Sequence, residues 1–186
     1  MIITEPLVRK LLDTVDAGLT AGLGVPEPGK MCVEAAISFA LGEPHSDGPS
    51  CVDSAVRAGN IALNDCDWSS DLARANGMRR ASIAQLGSKG VVDQVTYVRL
   101  LAQYTIDEIV PLAAAKYATS AAKYATYAAK YATYAAKYAT YAAKYATSAA
   151  ERDIALRLSA ELMVRALQEC GSPGCEWLWL CDEVIS

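Results

Sequence analysis

Between Ala114 and Ala150 the chain repeats itself every seven residues. The core Ala-Ala-Lys-Tyr-Ala-Thr recurs unchanged from Ala114, Ala121, Ala128, Ala135 and Ala142, and Ala149-Ala150 open a copy that does not complete. Seven residues make close to two turns of α-helix, so every copy presents its side chains in nearly the same directions. The composition favours that helix: Ala is the best helix former, Lys is close behind, and Tyr and Thr are only mildly poor. At about 100° per residue the three Ala positions fall near 0°, 40° and 100°, Thr near 140°, Lys near 200° and the two Tyr positions near 240° and 300°. One face is small and smooth, and the flank beside it is aromatic.

The apolar centre lies between two rows, Tyr117, Tyr124, Tyr131, Tyr138 and Tyr145 and Ala114, Ala121, Ala128, Ala135 and Ala142. They alternate by three and four residues, the a/d spacing of a coiled coil, and a strict heptad imposes a left-handed supercoil. A lone helix of this kind leaves its tyrosines half wet, whereas Ala facing Tyr lets two helices approach closely. The pattern therefore predicts helix-helix association, with a second copy of the chain as partner. Packing along the chain's own body, or a free-standing helix, are the alternatives. Lys116, Lys123, Lys130, Lys137 and Lys144 form a solvated ridge. Thr119, Thr126, Thr133, Thr140 and Thr147 form an edge repeating at about 10.5 Å, which admits a further reading as a flat surface for ordered water.

The 186 residues outside and inside this stretch suffice for one modest helical body plus an extension. Net charge is −4, with the acids outside the repeat; this gives no electrostatic footprint for nucleic acid. Met1 to Pro6 lacks the basic and apolar regions of a secretory signal, and no stretch reaches the roughly 18 uncharged apolar residues of a membrane span. These features predict a cytoplasmic protein without membrane or nucleic-acid partners. Six cysteines in such a chain are expected to be reduced thiols.

Before the repeat, Leu7, Val8, Leu11, Leu12, Val15 and Leu19 form the stripe of an amphipathic helix over Glu5 to Leu19. Gly and Pro crowd the next segment, and Lys30 to Leu41 is apolar on most sides, as a buried helix is. Ser50 is an N-cap candidate for a helix over Cys51 to Leu63, with Asp53 in its first turn. Asn64 to Ser70 is a turn, and Asp71 to Leu86 a helix closed by Gly87. Val91 to Val110 is a further helix, stopped by Pro111. No Gly or Pro falls between Leu112 and Cys170, which predicts one unbroken helix through the repeat and on to Glu169. The apolar tail Cys175 to Cys181 is expected to fold back onto the N-terminal helices. No segment reads as a strand. The predicted fold is all-α: a helical body from 1–110 and 151–186, with 111–150 as one long, coiled-coil-like heptad-repeat helix.

Chemistry has few footholds. Cys32 begins a helix, where the dipole can lower a thiol pKa, and His45, the lone histidine, is its candidate base. Cys32, His45, Cys51 and Cys66 are the candidate zinc ligands, without any CxxC knuckle. Cys170, Cys175 and Cys181 add no metal spacing. Met78-Arg79-Arg80 can meet a carboxylate or phosphate, with Asp65, Asp67 or Asp71 as the expected partners. Trp68 reads as an anchor closing a helical turn. No P-loop, GxGxxG, HExxH or GxSxG is present, so no cofactor and no enzyme activity are expected.

Several segments carry a family likeness: Pro28 to Ala36, Leu41-Gly42 with Pro44-His45, Leu63-Asn64-Asp65 with Trp68-Ser69-Ser70, Gly77 to Arg80 leading to Ala84 to Ser88, and Gly171 to Leu178. Together they resemble a family of uncharacterised bacterial proteins in which similar head and tail segments flank an Ala-rich, often Ala/Tyr-rich, region of variable length. The resemblance covers nearly the whole chain and implies a helical body interrupted by an adjustable helical insert. It implies no activity. In its all-helical, Ala-rich style the chain is also similar to bacterial immunity proteins. The expected function is a non-enzymatic structural or interaction protein that self-associates through the repeat. A binding or immunity-type module with a protein partner around Cys32, His45 and Trp68, and a thiol enzyme using Cys32 and His45, are the alternatives.

Overall fold

A computed structural model describes residues 2–109 and 149–182. The regular structure among the described residues is helical, with α1 Glu5–Asp16, α2 Val33–Leu41, α3 Ser54–Asn64, α4 Asp71–Ala84, α5 Gln94–Tyr104, a wider π turn Thr105–Ile109, α6 Ala149–Glu169 and a 3-10 segment Pro173–Cys181. No strand is formed among them; a single bridge joins Gly24 to Met31. No helix among them is long and apolar enough to cross a membrane. The heptads, with the Tyr117, Tyr124, Tyr131, Tyr138 and Tyr145 and the Ala114, Ala121, Ala128, Ala135 and Ala142 rows, lie outside the described residues, as does the predicted continuity from Leu112.

Helix α4 is the hub, packing against α1, α2, α3, α6 and the 3-10 tail. Its sequence explains this. Ala73, Ala75, Gly77, Ala81, Ser82 and Ala84 are buried, and their small side chains let neighbours approach from several directions. Trp68 fills the space at Gly77, and its indole N–H donates to the Leu63 carbonyl at 3.0 Å. It is the anchor its position implied. Leu11, Leu19, Ile37, Met78, Ile83, Leu156, Met163 and Leu167 complete one continuous core.

Local chemistry sets the ends. Ser70 accepts from the Ala73 N–H, Asp93 from Thr96 and Asp53 from Ala55, each satisfying an orphan donor of a first turn. Gly42 closes α2 at φ 76°, the left-handed conformation that glycine adopts without penalty. Ser50 is not the α3 cap; its hydroxyl and N–H bind Glu43 instead. The cap passes to Asp53 because its own N–H is held by Ser88 Oγ at 2.9 Å, which fixes the chain entry there. Helix α5 likewise starts at Gln94, not Val91, because Val91 and Val92 close a turn on the Ser88 carbonyl.

The tail docks on α4. Ser172 Oγ donates to the Ala84 carbonyl at 2.6 Å and Gly174 N–H to Leu86 at 2.9 Å, while Leu178 and Leu180 are buried. Arg79 pairs with Asp16 through Nε and Nη2 and donates to the Cys181 carbonyl at 2.8 Å; Arg80 pairs with Glu161 and Asp182. The arginines therefore do not meet Asp65, Asp67 or Asp71. Asp65 accepts from the Gly22 N–H, Asp67 pairs with Arg152, and Asp71 pairs with Arg74. The end of α1 and the tail lie nearer the second half of α4 than the turn that precedes it.

Candidate functional site

Two places stand out: the seam where residues 110–148 join the body, and a buried polar cluster beneath α2. At the seam, the π turn and α6 run past each other. Glu108 pairs with Arg165 at 2.7 Å, Tyr104 donates to Glu169, and the Arg165 guanidinium lies 3.6 Å over the Tyr104 ring, a cation–π contact. Ile109, the last described residue before the repeat, is buried. On the far side, the first turns of α6 are pinned to the α3–α4 turn. Asp153 accepts from the N–H and hydroxyl of Ser69, and Arg152 Nη2 lies 3.3 Å from Asp67.

The cluster begins with Glu34, in the first turn of α2. The helix is buried from Val33 to Ser38, so Glu34 has no solvent-facing direction and is fully buried. Gln85 just past the end of α4, Asn60 in α3 and Tyr97 in α5 are buried as well, and Gln85 and Tyr97 are near enough to couple electrostatically to Glu34. Asn60 Nδ2 donates to Gln85 Oε1 at 2.8 Å and to the Val56 carbonyl at 3.3 Å. Tyr97 passes over Gly59, where a methyl would lie 3.8 Å from its hydroxyl. Five polar atoms in this group have no partner: both Glu34 oxygens, Asn60 Oδ1, Gln85 Nε2 and the Tyr97 hydroxyl.

Burial drives the electrostatics here. It pushes the Glu34 carboxyl up to about 8, against the pull of the Gln85 amide and of Arg57; Asp47 adds to the rise. Gln85 is close enough to act, yet its Nε2 does not complete a hydrogen bond to the carboxyl. Burial also raises the Tyr97 phenol. Burial thus favours a protonated carboxyl and a neutral phenol in the cluster, groups that both donate and accept.

Cys32 does cap α2, but not as an activated thiol. Its sulfur accepts from the Ala35 N–H at 3.4 Å, it is buried, and burial raises its pKa over the lowering effect of the helix-terminal N–H groups. His45 Nε2 instead meets the Gly24 carbonyl at 3.1 Å, which places the ring proton on Nε2. Its Nδ1 has no partner, so the ring holds no thiol. Among the described residues no three His, Cys, Asp or Glu side chains come together as a metal site; Cys32, His45, Cys51 and Cys66 are therefore not a ligand set. Cys32 and Trp68 are buried, which removes both from the surface a partner touches. Among the described residues no disulfide joins any of the six cysteines. Native Cys32 and Cys51 are expected to react with an alkylating reagent at least ~100-fold more slowly than after denaturation, because opening must precede attack. Mass spectrometry of timed alkylation reads this; rapid labelling of Cys32 in the native protein would reverse the assignment.

Sequence reading passed over Glu34. The signal was available as the one acid within the apolar run Met31 to Leu41. The polar groups buried with it come from elsewhere in the chain and left no local trace. Comparison with family models, curated proteins and solved structures returns no match.

Proposed function

We propose that this chain is a non-enzymatic interaction protein, in which a long heptad-repeat helix carried by a closed helical body associates with the same helix of another copy. One observation carries the reading: the described residues on both sides of the repeat-bearing segment are fixed to the helical body. Ile109 is buried and its neighbour Glu108 is paired with Arg165, and the re-entering chain is held by Ser69 through Asp153. A segment anchored at both ends and formed of heptads with an unchanged six-residue core is suited to act as a zipper or spacer. Adding or removing a copy changes its length by about 10.5 Å and leaves the Tyr/Ala seam nearly in phase. The body-plus-insert division is also what the head and tail resemblance implies. The buried Cys32, with its raised pKa, weighs against a thiol enzyme.

Sedimentation across a concentration series tests the proposal. The full chain is expected to self-associate, and deletion of the two heptads Ala121 to Tyr134 to weaken association by about tenfold or more, near 1.4 kcal/mol. A strict monomer at high concentration, unchanged by that deletion, would sink it.

A further inference from the structure

The described body contains a second feature, apart from the ends of the repeat-bearing segment. Polar side chains are rarely buried without partners, because each unsatisfied group keeps its desolvation penalty. Here four such side chains, from α2, α3, α5 and the cap after α4, are buried with two of them hydrogen-bonded to each other, and they leave five atoms unpaired. Glu34 offers two acceptor oxygens and Asn60 Oδ1 a third, and Gln85 Nε2 and the Tyr97 hydroxyl are the donors among the five. A proton on Glu34 removes the charge that burial penalises and makes the carboxyl a donor as well.

We propose that Glu34, with the Gln85–Asn60 pair and with Tyr97 in electrostatic reach, forms an internal proton-binding site that couples the packing of α2 on α3 and α4 to pH. The step is the transfer of one proton from water to a Glu34 carboxylate oxygen, which takes the side chain from −1 to neutral. The Gln85–Asn60 pair can follow it. In the observed register Asn60 Nδ2 donates to Gln85 Oε1, and the Gln85 amide nitrogen is the end available to a carboxylate. Turning both amides over keeps their mutual hydrogen bond and presents Gln85 Oε1 to a carboxylic O–H, at the loss of the Asn60–Val56 bond. Each protonation state thus has its own register.

The charges around the site are few and mixed. Arg57 on α3 favours the carboxylate, and Asp47 on the α2–α3 loop opposes it. Cys32 and Cys51 sense the Glu34 charge. From α5, Tyr97 senses Glu34, Asp53 and the Cys170 thiol at the end of α6. Arg57 is the cation that acts on Glu34 among the described residues, and burial outweighs it. The native protein therefore keeps this proton where the unfolded chain has released it. Stability falls as pH rises from 4.5 to about 8 and levels off above.

Carbon-detected NMR of the Glu carboxyls in the full chain tests this, with E34Q assigning the signal. The Glu34 resonance is expected to titrate near 8 instead of 4.5, and the Gln85 and Asn60 side-chain amides to shift with the same midpoint. Q85M, which removes the amide favouring ionisation, is expected to move that midpoint upward. Urea midpoints of the wild type should drop between pH about 5 and about 8, and those of E34Q should stay flat. A Glu34 signal titrating near 4.5, or amides that do not follow it, would overturn the proposal. The wild-type titration decides even where a variant does not fold.

Discussion

Gly174→Ala is expected to cost about 4 kcal/mol and to release the C-terminal tail from α4. A methyl at Gly174 would lie 2.0 Å from the Ile83 carbonyl oxygen and 3.0 Å from both the nitrogen and the oxygen of Leu86. All three are backbone atoms, so no side-chain rotation relieves the contact. Either α4 distorts near its end or the tail lifts. Lifting is cheaper for the fold, but it exposes Leu178 and Leu180 at about 2 kcal/mol each and breaks the Gly174–Leu86 hydrogen bond, worth about 1 kcal/mol. Partial re-packing recovers some of this. Gly171→Ala is the informative control. Its φ is 69°, with nothing within 4 Å of the added carbon, so it pays only the left-handed backbone penalty, about 1 kcal/mol. Urea unfolding of the two variants separates close packing from backbone conformation. Trp177 and Trp179 sit on the tail, and their emission should shift red in the first variant alone. A Gly174→Ala protein within about 1 kcal/mol of the parent would show that the tail docks more loosely than its hydrogen bonds indicate.

How much of this was legible in the sequence depends on how far each determinant acts. Ser70, Gly42 and Gly87 mark helix ends through bonds or dihedrals within a few residues, and the chain pattern shows them directly. The stripe Val8, Leu11, Leu12 and Val15 buries as its spacing requires. Ser50 and Asp53 are equally good caps on local chemistry, and Ser88, from a distant turn, chooses between them. The partners of Arg79 and Arg80 depend on where α1 ends and where the tail returns, which is tertiary information. Cys32 was placed correctly at a helix start, but its burial outweighs the helix terminus and reverses the expected pKa shift. Glu34 repeats that lesson. A single acid in an apolar run is visible, whereas the Gln85, Asn60 and Tyr97 buried with it appear only once α3, α4 and α5 are in place.

Arg74 provides the other large effect, and it is not the ion pair that makes it large. Its side chain is buried, whereas its carboxylate partner Asp71, at 2.5 Å, remains 60% exposed. Water already solvates that carboxylate, so the pair contributes at most about 1 kcal/mol. The backbone contacts differ. Nε donates to the Asn64 carbonyl at 2.7 Å and Nη1 to the Leu19 carbonyl at 2.8 Å. These carbonyls end α3 and the segment after α1, and the guanidinium clamps both to α4. Asn64 strengthens the same junction by accepting from Val33 N–H and donating to the Thr20 carbonyl. Arg74→Met preserves most of the volume but leaves two carbonyls without this donor, at roughly 1–3 kcal/mol each. The expected loss is about 3–4 kcal/mol. Arg74→Lys should recover little, because one ammonium on a flexible stem does not reproduce the planar fork. Asp71→Asn should cost less than about 1 kcal/mol. Equilibrium denaturation of the three variants gives the ordering Met, then Lys, far below Asn. If Asp71→Asn proved as damaging as Arg74→Met, the ion pair rather than the carbonyl clamp would hold this junction.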